Sequence, residues 1–265
     1  MIEQTTERVV FNERRHTYSL DGRYCPGVTT ILNKAIGKPF LIAWAARTAA
    51  QWCATNAEGL ASLGEQVWIE TAAKAPDRVR DAGGDLGRQL HTVAERLVYG
   101  EPVGDRDDDG TPLPPEVLDM AGHLARFLDA RGVEPVVHEA IVFHQTHWWA
   151  GRLDLIADMG DGRRWLLDYK TAASGVRDTD SLQLAAYRHA SHIQIGGRVL
   201  LMPPTDEAAV VWVRPDGVQL VPVNASEAAY GRFLHCAAVA EWVTKEARDS
   251  VGAPLPDWSE GEVSA

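Results

Sequence analysis

Between Pro135 and Thr171 the chain carries three strand-like runs in close succession: VVHEAIVFHQ, WWAGRLDLIADM and RRWLLDYKT. They are rich in β-branched and aromatic residues. Turn signals part them, Gly160-Asp161-Gly162 being the clearest. Three such strands constrain the fold to one built around a central sheet. A helix is expected over Thr179 to about Ile193, on the apolar spacing of Leu182, Ala185, Ala186 and Ala190. Further strands follow in RVLLMPP, AAVVWVRP and VQLVPV, with Asp216-Gly217 as a hairpin turn, and then a helix from Ala225 to about Arg248. The order of elements predicts an α/β (α+β) fold with a central mixed sheet flanked by helices.

The part before residue 135 reads differently. Val9 to Tyr24 has the pattern of a short hairpin turning at Asp21-Gly22, and Pro26-Gly27 ends it. A helical turn begins at Val28, and Leu41 to about Leu63 is Ala-rich with apolar residues at helical spacing. A second helix is placed around Glu65 to Arg80. A third starts after Gly83-Gly84 and carries Leu86, Leu90, Val93, Ala94 and Leu97. The acidic Pro/Gly-rich stretch from Gly100 to Pro115 is a loop, and Pro115 fits the first turn of a helix running to about Arg131. We therefore expect one domain over residues 1–250, with 1–134 as hairpin and helical part and 135–250 as sheet core. Residues 251–265 read as a disordered tail.

The balance of 37 acidic against 26 basic residues gives a formal net charge of -11. This argues weakly against a large non-specific nucleic-acid footprint, yet a site of clustered carboxylates reverses its local sign once cations bind. The three cysteines, Cys25, Cys53 and Cys236, are far apart and form neither a disulfide framework nor a metal motif. No apolar run reaches the length of a membrane span, so a soluble, cytoplasmic protein is expected.

The chemistry concentrates in Gly151-Arg152-Leu153-Asp154 and Asp168-Tyr169-Lys170-Thr171. Asp154 and Asp168 fall on successive strands, within reach of one ion. Asp168 and Lys170 are two apart and share a strand face. Two carboxylates and an ammonium converging on one face are costly unless a cation joins them. Oxygen ligands with room for water suit Mg²⁺ or Mn²⁺, and the backbone carbonyl of Tyr169 would complete the shell. An isolated Asp-x-Lys is more often a solvated strand face. Here the apolar lead-in Trp165-Leu166-Leu167 makes a charged triplet at the end of a buried strand, an inconsistency typical of a site.

Together with Glu139 upstream and Gln183 and Tyr187 downstream, these runs resemble the RecB-like branch of the PD-(D/E)XK nuclease superfamily. That branch includes phage-type exonucleases and CRISPR adaptation nucleases. Its pattern is a G-x-x-D strand, a D-x-K strand and a helix with Q-x-x-x-Y. An upstream histidine in a G-x-x-H-type context has its match in Gly87-Arg-Gln-Leu-His91. The stretch from His16 to Leu32 and Leu41-Ile-Ala-Trp44 resembles the leader of phage-encoded members, so the resemblance spans about His16 to Trp242.

The resemblance implies Asp154 and Asp168 as metal ligands, Lys170 as the catalytic lysine and His91 as a further ligand. Gln183 and Tyr187, one helical turn apart, would contact the scissile phosphate. Glu139 would orient a water or Lys170. Glu95 shares the His91 face as a ligand, a partner behind the ligands or a solvated charge. Thr171 caps the strand or touches phosphate, and Arg152 is an exposed strand residue or a DNA contact. The implied activity is Mg²⁺- or Mn²⁺-dependent hydrolysis of DNA, exonucleolytic rather than site-specific, with the N-terminal helices framing a DNA channel. It also implies work beside a single-strand annealing protein, in the host cytoplasm if phage-encoded; some such exonucleases are ring-shaped homo-oligomers. Many relatives hold an iron–sulfur cluster with four cysteines, which this chain lacks, and no Walker A motif is present for a nucleotide. The alternatives are a non-catalytic DNA-binding or scaffold module on the same fold and another metal-dependent enzyme using the same carboxylates. His144 and His147 make only a weak zinc motif. Of Trp148 and Trp149, which point to opposite faces of a strand, one is core, and the other stacks on a base or covers the sheet edge.

Overall fold

The computed structural model describes residues 8–60, 64–107 and 109–254. At the N-terminal end β1 (Val9–Asn12), β2 (Thr17–Leu20) and β3 (Arg23–Cys25) form a three-stranded antiparallel sheet. Asp21 and Gly22 both take positive φ, 49° and 74°, the backbone a tight hairpin between right-twisted strands demands. The run expected as one arm of this hairpin is itself folded over at residues 13–16. Glu13-Arg14-Arg15-His16 offers no apolar side chain to bury, and the Asn12 side chain accepts the Arg15 N–H at 3.0 Å to close the turn.

Among the described residues six helices follow: α1 (Val28–Ala35), α2 (Phe40–Thr55), α3 (Ala57–Leu60), α4 (Glu65–Ala73), α5 (Ala75–Val98) and α6 (Pro115–Arg131). The helix expected over Glu65 to Arg80 is broken, and the break lies at Lys74 rather than at Gly83-Gly84. Pro76 occupies the first turn of α5, where its missing N–H is not needed. The two glycines then stay helical inside α5. Each costs about 1 kcal/mol relative to alanine, which the buried Leu90, Val93, Ala94 and Val98 further along outweigh. Helix α6 keeps its expected bounds, with Pro115 in its first turn and Gly132 closing it at φ 57°.

The main sheet has seven strands in the order β10-β9-β6-β5-β4-β7-β8. They are β4 (Glu134–His144), β5 (Trp149–Asp158), β6 (Arg164–Lys170), β7 (His192–Ile195), β8 (Arg198–Leu201), β9 (Glu207–Arg214) and β10 (Gly217–Pro222). Only β6 and β9 pair in parallel; the other neighbours are antiparallel. Helix α7 (Asp178–Arg188) crosses between β6 and β7, and α8 (Glu227–Lys245) closes the fold. Helix α7 was expected to reach about Ile193, but it ends at Arg188. Residues 192–194 instead pair with the open edge of β4, where Ile193 sits opposite Val142 and is fully buried. An unpaired strand edge and a β-branched side chain there override helical spacing.

The result is a mixed α+β fold whose large mixed sheet is flanked by helices. Leu155, Leu167 and Val211 pack under α5 and α6, while Ile156, Leu166 and Val210 pack under α1, α7 and α8. Cover on both faces explains why β5 and β6 read as nearly continuous apolar runs instead of alternating ones. Val28, Ile31 and Leu32 of α1 belong to the same core as the sheet. Among the described residues no helix is long and apolar enough to cross a membrane. The expected tail falls partly outside the described residues, which end at 254.

Candidate metal centre

The site is built where two central strands part. The β5–β6 ladder runs from Asp158↔Arg164 to Leu155↔Leu167 and stops. One residue further, the Asp154 side chain takes the place of a backbone partner and accepts the Tyr169 N–H at 2.7 Å through Oδ2. On its other side β6 stays paired with β9 as far as Lys170↔Trp212. The strand is therefore held rigidly while its β5 edge opens, and charged side chains collect at the opening. Asp154 and Asp168 are 7% and 2% exposed, a burial unusual for carboxylates and tolerable only with partners.

Glu139 reaches the same point from β4. It falls between the pairs His138↔Leu155 and Ala140↔Leu153 and has a φ of 48°, a conformation that costs a non-glycine residue roughly 1–2 kcal/mol. The kink reverses the strand's phase, since Val137, Ala140 and Val142 all enter one core cluster. Leu153 and Ile156 of β5 do the same. Such strain within a well-packed sheet is characteristic of sites where a side chain must be aimed.

His91 descends from α5 on the other side. Its Nδ1 is 3.2 Å from Glu139 Oε1 and 3.8 Å from Asp154 Oδ1, and its ring stands edge-on to Tyr169. His91, Glu139 and Asp154 each offer a ligand atom within 4.8 Å of the others. Asp168 does not join them. Its Oδ1 accepts from Gln183 Nε2 at 2.8 Å, and its Oδ2 is 2.5 Å from Lys170 Nζ. The candidate ligand group therefore includes Glu139, and the expected ligand Asp168 lies beside it, paired with Gln183 and Lys170. The Tyr169 N–H bonds Asp154 at the same point.

Electrostatics follow from this crowding. Burial first, and the neighbouring Asp168 second, push the Asp154 carboxyl up to about 7. Burial works against a charged His91, but Asp154, Glu139 and Asp168 outweigh it and bring the imidazole up to about 9. Lys170 is likewise raised against its burial by Asp168 and Asp154. Burial opposes ionisation of Glu139, but bonding and charge from His91 hold its carboxyl below its ordinary value. Excess carboxylate thus draws positive charge to the opening, and a divalent cation bound there would take the place of the proton on His91.

Helix α7 supplies Gln183 and Tyr187 from the opposite face. Gln183 Nε2 also lies 3.4 Å from Tyr187 Oη. The Tyr187 ring rests on Gly151, where a Cβ would stand 2.5 Å from Tyr187 Cε1. The glycine of G-x-x-D is thus the seat for the tyrosine of Q-x-x-x-Y. The Arg152 guanidinium lies 4.8 Å over the Phe11 ring and 3.9 Å from Glu139 Oε2. Thr171 is half-buried at the end of β6 beside Gly87 of α5. Glu95 is exposed and outside the ligand group; its charge acts on His138.

Two side chains at the site carried no motif signal. Tyr18 of β2 is raised by burial and lies within electrostatic reach of Arg152, Glu139 and Tyr187. Asp180 is buried in the first turn of α7, accepts the Arg177 N–H at 2.7 Å and feels Lys170. A polar first turn, Asp178-Thr179-Asp180, was the only available hint for Asp180.

His144 and His147 stack on each other at 4.1 Å, and His147 Nδ1 is 2.7 Å from the Tyr230 hydroxyl. They belong to an aromatic cluster, and neither joins the ligand group. Trp149 is the core member of its pair. Trp148 precedes β5, at φ 53°, and donates through Nε1 to the Tyr24 carbonyl at 2.9 Å.

Neither protein-family models nor curated proteins give a match to this chain.

Proposed function

We propose that this protein is a metal-dependent deoxyribonuclease of the RecB-like PD-(D/E)XK type, acting from DNA ends in recombination, repair or processing. The observation that carries the reading is the convergence at the β5–β6 opening. His91, Glu139 and Asp154 present three ligand atoms within 4.8 Å, beside a buried Asp168–Lys170 ion pair. One imidazole and two carboxylates fit Mn²⁺, and Mg²⁺ with more water. A bound ion would polarise the phosphodiester and lower the pKa of the attacking water.

The protein's own residues supply the rest. Lys170 remains cationic and, fixed by Asp168, neutralises charge that builds on the phosphoryl oxygens as water oxygen bonds to phosphorus. The attacking water would give up a proton to solvent, the bond from phosphorus to the leaving sugar oxygen breaks, and that oxygen takes a proton from solvent. Gln183 holds Asp168 from α7, so the ion pair does not reorganise during the reaction. Arg152, whose side chain is partly exposed, would meet the phosphate backbone, while the buried Tyr187 backs Gln183 from the core. The DNA channel, a single-strand annealing partner and a homo-oligomeric state belong to this reading through the resemblance alone.

The test is hydrolysis of linear DNA with Mn²⁺ by the wild type, Asp168→Ala and Lys170→Ala proteins. Each substitution should slow cleavage at least about 100-fold, the scale of losing one preorganised charge. Unchanged cleavage in both variants contradicts the site, and binding without cleavage by the wild type contradicts the reaction.

A further inference from the structure

A second concave site lies away from the metal centre. A groove of about 590 Å³ runs between α1 and α8 and is closed at one end by the β4–β5 turn. From Trp149 to Asp154 along β5 is about 17 Å, so its ligand would not touch the centre described above. The floor is aliphatic: Ile31, Leu234, Ala237 and Ala240. Arg23 stands at one end, and Lys34 and Lys245 with a single Glu241 at the other. In a chain of net charge -11 this is a local reversal of sign. Lys245 bonds Glu241 at 2.6 Å, whereas Lys34 donates to a neutral hydroxyl, that of Thr244, at 2.9 Å.

We propose that this groove binds an acidic peptide segment of a partner protein, seating an apolar side chain on the floor and carboxylates against Arg23 and Lys34. Its length selects a peptide over a small molecule, because Leu234 to Lys245 spans about 16 Å of helix, room for about five extended residues. Its surface selects a peptide over nucleic acid. Trp148, which lines the groove, is already covered on one face by the Arg23 guanidinium at 4.4 Å, and its Nε1 is bonded to the Tyr24 carbonyl. An aliphatic floor with cations at both ends is the complement of an apolar anchor flanked by acids.

The experiment measures fluorescence polarisation of the full chain with a labelled peptide, Glu-Asp-Leu-Phe-Asp-Glu. Binding should weaken at least about tenfold when Leu-Phe becomes Ser-Ser, and again with Lys34→Glu or with Ala237→Trp, which fills the floor. Arg23→Glu, on the exposed rim, is the second charge variant if Ala237→Trp impairs folding. DNA cleavage should be the same in all of these variants, so the outcome is independent of the nuclease reading. Three results would each overturn the proposal: no binding at about millimolar peptide, equal binding by wild type and variants, or a groove that oligothymidylate occupies and the peptide does not.

Discussion

Asp154 has two roles at the point where β5 and β6 part: Oδ2 takes the Tyr169 N–H, and Oδ1 faces His91. One residue thereby ends a strand ladder and begins a ligand group. Gly151 is coupled to it through α7, because the Tyr187 ring occupies the space a Cβ would need. Gly151→Ala should therefore displace Tyr187, destabilise the protein by about 1–3 kcal/mol as overpacking does, and lower the proposed nuclease activity. Urea denaturation would show it, and Tyr187→Leu in the same chain should restore part of the stability but not the activity. Asp154, Asp168 and Lys170 were legible because a buried apolar run cannot end in charge without a reason. The place of Glu139 in the candidate ligand group was not, since it depends on a kink at φ 48° that reverses the phase of β4. Period-2 reasoning assumes that phase is kept.

At the scale of elements, the central strands were readable because both their faces are covered, which leaves an apolar signature in each run. Helix α5 was harder. Gly83 and Gly84 look like a start signal, yet the helix runs through them, held by packing further along. A Cβ at Gly83 would meet nothing within 4 Å. Gly83→Ala should accordingly stabilise the protein by about 0.5–1 kcal/mol and raise Tm without altering activity. The β4–β5 turn carries a pH-sensitive element. Burial first, then the nearby His147 and His192, lower His144 to about 4 from its ordinary 6.5. Between these values the unfolded chain binds a proton that the folded chain does not. The stability is complete above pH 6.5 and is lost as pH falls toward 4. His144→Asn keeps an acceptor for the His147 N–H and should flatten the difference in Tm between pH 7 and pH 5; an unchanged slope would place the titration elsewhere.

Across the whole molecule, the helices on the two faces of the sheet pack into separate cores, and the opening between β5 and β6 is where α5 and α7 contribute to one centre. The N-terminal sheet adds a wall, with Phe11 under Arg152 and Tyr18 within reach of Glu139. A net charge of -11 gives little long-range attraction for DNA. On the proposed function, DNA affinity would depend on the ion and on local cations. The most direct measurement is a time course on end-labelled linear duplex with Mn²⁺, comparing wild type with Asp154→Asn. Asparagine can still accept the Tyr169 N–H, so the fold is kept while the ligand charge is removed. The proposed function predicts steady release of label by the wild type and at least about 100-fold slower release by the variant. Equal rates for the two proteins, or no release by the wild type with either Mn²⁺ or Mg²⁺, would contradict it.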